Sequence, residues 1–143
     1  MCEALRVSMK KAFPVLLSLL LAGCGGENLE ITHLDTSSGI IDLSVQLPGD
    51  WERVCVLKPY TTSESAGEVL GFEYDIFASN SGVFVLDDRN LLVTTKNNSV
   101  IGEYDVLLMN ADFTSLEKSC FAAKKAIFTI RQTGDGWNKV ENT

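Results

Sequence analysis

The chain has 143 residues, with 12 basic against 19 acidic side chains, one histidine and four cysteines, and a net charge of −7 at neutral pH. So acidic a balance repels phosphate backbones, and no basic stripe offsets it, which excludes nucleic acid as a partner. The length suits one domain behind a short leader, and 45% hydrophobic residues supply a core.

Met9 is followed by Lys10 and Lys11 and then by "AFPVLLSLLLA" from Ala12 to Ala22. A positive segment, an apolar segment and a small-residue zone in that order define a secretory signal peptide. The apolar run is shorter than the roughly 20 residues a membrane-spanning helix needs, and Pro14 weakens it as a span. "MCEALRVS" adds nothing to this pattern, so Met9 competes with Met1 as the start.

Leu21-Ala22-Gly23-Cys24 resembles the lipobox of bacterial lipoproteins, in which leucine, two small residues and a cysteine follow the apolar segment. The resemblance covers residues 9 to 24. It implies cleavage before Cys24, a diacylglyceryl group on the Cys24 thiol and a fatty acyl chain, such as palmitate, on the new amino terminus. One acyl chain holds a protein to a membrane only marginally, and several hold it stably. Gly25 in place of aspartate implies sorting to the bacterial outer membrane, on its periplasmic face or at the cell surface. The expected organisation is a signal peptide over 1–23, a lipidated tether over 24–37 and a soluble domain over 38–143. Removing the signal leaves 9 of the 12 basic and 18 of the 19 acidic residues, a net charge of −9.

This reading also sorts the cysteines. Cys2 leaves with the signal and Cys24 is taken by lipid, so Cys55 and Cys120 remain, in a compartment that permits disulfides. They are expected to pair, because the alternative of a redox or metal site lacks both a Cys-x-x-Cys spacing and more than one histidine.

"GIIDLSVQL" (39–47) alternates through Ile41, Leu43, Val45 and Leu47 and predicts a strand, punctuated by Pro48-Gly49-Asp50. "WERVCVLKPY" (51–60) predicts a second strand, ended by Pro59. Thr61 and Glu64 fit a capping box before a short helix at 62–70, with Gly71 as its stop. "GFEYDIF" (71–77) reads as a strand. "VFVLDD" (83–88) and "LLVTTK" (91–96) read as a hairpin around Asp88-Arg89-Asn90. Asn97-Asn98-Ser99 turns the chain into "VIGEYDVLL" (100–108), and a helical turn is expected within 110–120. "KAIFTIRQ" (125–132) is a strand that Gly134-Asp135-Gly136 returns toward Trp137 and Val140. Many short strands with one clear helix predict a single small α+β domain, mainly antiparallel sheet with one or two short helices and one disulfide.

"WERVCVLKPY", the Gly71-Phe72 step and the late Cys120-Phe121 pair resemble a group of small proteobacterial lipoproteins of unknown function. That resemblance again implies a Cys55–Cys120 pair and supplies no activity.

No catalytic constellation emerges. His33 is the only imidazole and falls in the expected tether, which argues against a Ser-His-Asp or Cys-His site. Asp87 and Asp88, or Glu73 and Asp75, are formally acid pairs, but a solvated polar face accounts for them more simply. No metal, phosphate or cofactor motif occurs, so neither metal nor cofactor is expected. Trp51, Tyr60 and Trp137 lie beside predicted turns and are candidates for an aromatic recognition surface, with core-capping the competing role. The expectation is a lipid-anchored envelope protein without catalytic activity, held to the membrane through Cys24, that binds an envelope protein or serves structurally. The alternative is an inhibitor or exclusion lipoprotein whose acidic surface blocks an incoming protein or an envelope enzyme.

Overall fold

Val54, Cys55, Val56 and Leu57 are consecutive and all buried, and a strand is uniformly apolar in this way only when both its faces are covered. The computed structural model describes residues 29–143 and shows how this comes about. The expected signal peptide and Cys24 lie outside the described residues.

Strand β2 (Arg53–Leu57) and strand β3 (Arg89–Lys96) occupy the centre of a four-stranded antiparallel sheet. Strand β4 (Ser99–Leu107) pairs with β3 on one side, and the short β5 (Cys120–Ala122) pairs with β2 on the other. A second antiparallel sheet is formed by β1 (Ile40–Asp42), β6 (Ile127–Gln132) and β7 (Asn138–Asn142), with β6 in the middle. Val54, Val56, Leu92, Val106 and Phe121 of the large sheet pack against Ile41, Phe128 and Val140 of the small one. Phe128 meets Phe113 and Phe121 edge-to-face, with ring centroids 5.7 and 4.9 Å away.

The alternate residues of the same central strands, Cys55, Leu57, Leu91 and Val93, form a second core on the opposite face. Helix α2 (Ser63–Leu70) covers that core with Ala66 and Leu70, and the loop behind it adds Tyr74, Ile76 and Val83. The domain is thus a small sheet, a large sheet and a helix-plus-loop layer. It is a single small α+β domain built mainly on antiparallel sheet and closed by one disulfide, as the strand pattern predicts.

Several elements depart from the expected ones. The strand expected over 39–47 ends at Asp42, whose carboxylate accepts from the Ser44 N–H and starts a one-turn helix, α1 (Leu43–Gln46). Leu43 and Leu47 are four residues apart, so one helical turn buries both and leaves Val45 78% exposed. Alternation and helical spacing coincide over so short a stretch, and the aspartate cap decides between them. The capping box of α2 lies one residue later than expected. Thr62 accepts from the Ser65 N–H, Ser65 Oγ accepts from the Thr62 N–H, and Thr61 instead donates to the Lys58 carbonyl. Gly71 ends the helix in the left-handed region at φ 81°, as its position implies.

No strand forms over 71–77 or 83–88. Asp75 caps a 3-10 turn at Ile76–Ser79, and the Val85 and Leu86 N–H groups both donate to the Gly82 carbonyl in a tight turn. Strand β3 instead joins β4 in a hairpin through Asn97 and Asn98, both at positive φ, as a primed two-residue turn requires. The stretch 110–120 contains turns but no helix, with Ala111, Phe113 and Leu116 buried and Asp112 accepting from the Thr114 N–H.

The stretch read as a tether is, from Leu29 onward, folded onto the domain. Leu34 is 1% exposed, Thr32 N–H donates to the Asp105 carbonyl at 2.7 Å, and Ile31 bridges to Asp105 in parallel. Two side-chain amides hold the backbone there. Asn110 brackets Leu34, and Gln46 donates to the Asp35 carbonyl and accepts from its N–H. A polar sequence conceals this, because Asn110 and Asp105 lie more than 70 residues along the chain from the backbone they hold.

Candidate functional site

Cys55 and Cys120 are register partners on β2 and β5, with Cα atoms 4.1 Å apart, and their sulfurs are joined. The bond lies in the second core, with Cys120 Sγ 3.3 Å from the Val69 carbonyl of α2. It ties an edge strand to a central one beneath the helix. No cysteine among the described residues is free.

The three aromatic candidates lie on different parts of the molecule. Trp51 is 6% exposed and belongs to the core between the sheets, where its indole N–H donates to the Leu47 carbonyl. It is a core residue and presents no recognition surface. Tyr60 is 61% exposed after the end of β2, at φ 65°, its N–H donating to the Val83 carbonyl. Trp137 is partly exposed in the β6–β7 hairpin, where its carbonyl accepts from the Thr133 N–H. His33 is exposed in the segment packed against Asn110.

The acid pairs also separate into distinct roles. Asp75 accepts from the Phe77 N–H, and Asp88 accepts from Arg89 Nε at 2.8 Å. That hydrogen bond holds the Asp88 carboxyl below the usual carboxylate range and raises the Arg89 guanidinium. Glu73 and Asp75, with Ser63, Glu64 and Tyr74, border an open recess of about 440 Å³. Between them, Tyr74 is buried and its hydroxyl donates to Glu103 at 2.5 Å. Burial, and then the Glu103 carboxylate, push the Tyr74 phenol well above its ordinary range. Among the described residues no group of three or more His, Cys, Asp or Glu converges to hold a metal ion.

A buried polar cluster that the sequence pattern did not signal centres on Asp105. Asp105 on β4 is 1% exposed and accepts from Ser81 Oγ at 2.5 Å, from the Gly82 N–H at 3.4 Å and from Arg89 Nη1 at 3.4 Å. Ser81 Oγ in turn accepts from the Val83 N–H. A hydroxyl beside a carboxylate invites comparison with a nucleophile, but Ser81 is 2% exposed and bonds the carboxylate directly. The cluster works as a clasp that fixes the loop between α2 and β3 onto β4, since buried polar groups persist when paired.

That clasped loop carries the most exposed apolar surface near the clasp. Phe77 is 65% exposed and meets Phe84 edge-to-face at 4.8 Å, and Phe84 runs on into Val85 and Leu86, 58% and 39% exposed. The apolar run at 83–86 was legible as apolar, but it reads as a buried strand until the Gly82 turn is known. An exposed apolar patch is surface that contact with a protein or a membrane would take out of water. No known protein family matches the chain, and neither a curated protein nor a solved structure does.

Proposed function

We propose that this is a lipid-anchored bacterial envelope protein that acts by contact, as a binding or structural module without catalytic activity. Residues 1–23 are its signal peptide, Cys24 carries the lipid, and Gly25 directs it to the outer membrane. The observation that supports the reading is the Cys55–Cys120 bond in the described domain, because structural disulfides belong to exported chains. It accompanies a lipobox whose cysteine precedes the folded domain by only a few residues.

The test is fatty-acid labelling of cells expressing the full chain and its Cys24→Ala variant. Label and membrane retention in the parent, and loss of both in the variant, are expected. Retention of the unlabelled variant in membranes would overturn the anchor. In-cell crosslinking of the tagged lipoprotein then identifies what the domain contacts. The acidic balance favours a second reading, an inhibitor or exclusion factor directed at a basic protein. In that case one basic protein copurifies stoichiometrically, and its binding falls steeply with salt.

A further inference from the structure

We infer that the loop carrying Phe77, Phe84, Val85 and Leu86 docks onto the surface of the bilayer that holds the lipid anchor. The inference rests on the anchor reading above and deepens it.

Three observations converge on this loop. The first is its apolar face, with Phe77 and Val85 more than half exposed although the clasp at Asp105 holds their loop in place. The second is where the described chain begins. The Leu29 N–H donates to the Asn80 carbonyl at 3.0 Å, and Leu29 packs on the same core as Phe84. The chain therefore enters the domain within the apolar loop itself.

The third is length. Five residue steps separate Cys24 from Leu29, and a fully extended chain spans at most about 3.6 Å per step, or about 18 Å in all. A lipid on Cys24 sits in the bilayer, so Asn80 is held within about that distance of the headgroups. The bilayer is thus the one apolar phase the anchor guarantees at this place. A partner protein would have to share the same narrow gap.

The charges nearby set the lipid preference. Asp75 is engaged as a cap and Asp88 pairs with Arg89, while Glu73 and Asp87 are exposed with no such partner among the described residues. The loop therefore favours zwitterionic over anionic headgroups, and salt strengthens its contact with anionic ones.

The experiment reconstitutes the full lipidated chain into phosphatidylcholine vesicles brominated on the acyl chains. A Trp137→Phe background leaves only the buried Trp51, and Phe77→Trp or, separately, Val85→Trp places an indole in the loop. Loss of most of the added indole emission in brominated vesicles, beside unchanged Trp51 emission in the background chain, is expected. Quenching is weaker in phosphatidylglycerol vesicles and recovers as salt is raised. Acyl-labelled chain that floats with the vesicles but shows no quenching at either position overturns the docking and leaves the anchor standing. Chain that carries no acyl label and does not float overturns both.

Discussion

Asn110 holds Leu34 as a neighbouring strand would, its side-chain amide donating to the Leu34 carbonyl at 2.9 Å and accepting from the Leu34 N–H at 2.7 Å. One side chain thereby satisfies both polar groups of a backbone unit whose own side chain is in the core. Its own carbonyl accepts from Asn138 Nδ2, so the first described segment, the loop after β4 and β7 meet at one residue.

Asn110→Ala removes two hydrogen bonds and leaves the Leu34 backbone groups to be resolvated. A loss of about 1–3 kcal/mol is expected in urea unfolding, together with faster amide exchange at Leu34. Unchanged exchange there would mean that the segment is held by its apolar contacts alone.

Trp51 and Trp137 are separated by the same measurement. Trp51→Ala opens a cavity between the sheets and should cost roughly 3–5 kcal/mol. Trp137→Ala on the hairpin should stay within about 0.5 kcal/mol of the parent. Comparable losses at both positions would contradict the burial that distinguishes them.

Breaking the disulfide with a paired Cys55→Ser, Cys120→Ser substitution releases a constraint across a sequence separation of 65 residues. The chain-entropy relation gives about 4 kcal/mol for a loop of that size. Denaturant midpoints with and without reductant should move together with this variant, and a parent indifferent to reductant would oppose it.

Tyr74 sets an alkaline limit. Its folded pKa is raised above the ordinary value of 10, first by burial and then by Glu103, so the neutral phenol is favoured in the fold. Its contribution is complete below pH 10 and declines as pH rises toward the folded value, because the unfolded chain ionises first. Tyr74→Phe should be less stable at pH 8, having lost the bond to Glu103, yet decline less steeply above pH 10. Parallel pH profiles for parent and variant would remove Tyr74 from this role.

Local chemistry was legible where glycine or asparagine sets the backbone of a turn or a helix end. Gly71 stops α2, Asn97 and Asn98 turn β3 into β4, and the β6–β7 hairpin follows its glycines. What the pattern mislaid was either a short turn or cap that competes with a strand, as at Asp42 and Gly82, or a contact with a distant partner. The apolar run at 83–86 looks like a strand, but it pairs with no strand among the described residues and the Gly82 carbonyl captures two of its N–H groups. The polar stretch before Ser38 looks like a tether, because Asn110 lies 76 residues from the Leu34 backbone it holds, and Gln46, 11 residues from Asp35, reaches it only once the chain has turned back. Of the aromatic candidates, Trp51 sits beside a turn in sequence and between the two sheets in space, and adjacency to a turn does not reveal this. The Asp105 clasp escaped notice because Ser81, Arg89 and Asp105 gain meaning only once β3 and β4 are paired.

Chain synthesis runs from Cys55 toward Cys120, so the thiol on central strand β2 emerges 65 residues before the partner that oxidises with it. By then α2, β3 and β4 have all been made, and β5, three residues long, arrives to close a sheet otherwise complete. The covalent closure therefore waits on β5 alone: a chain that stops short of Cys120 leaves the Cys55 thiol without its partner on a central strand, whereas β6 and β7 are still to be made when the bond can form.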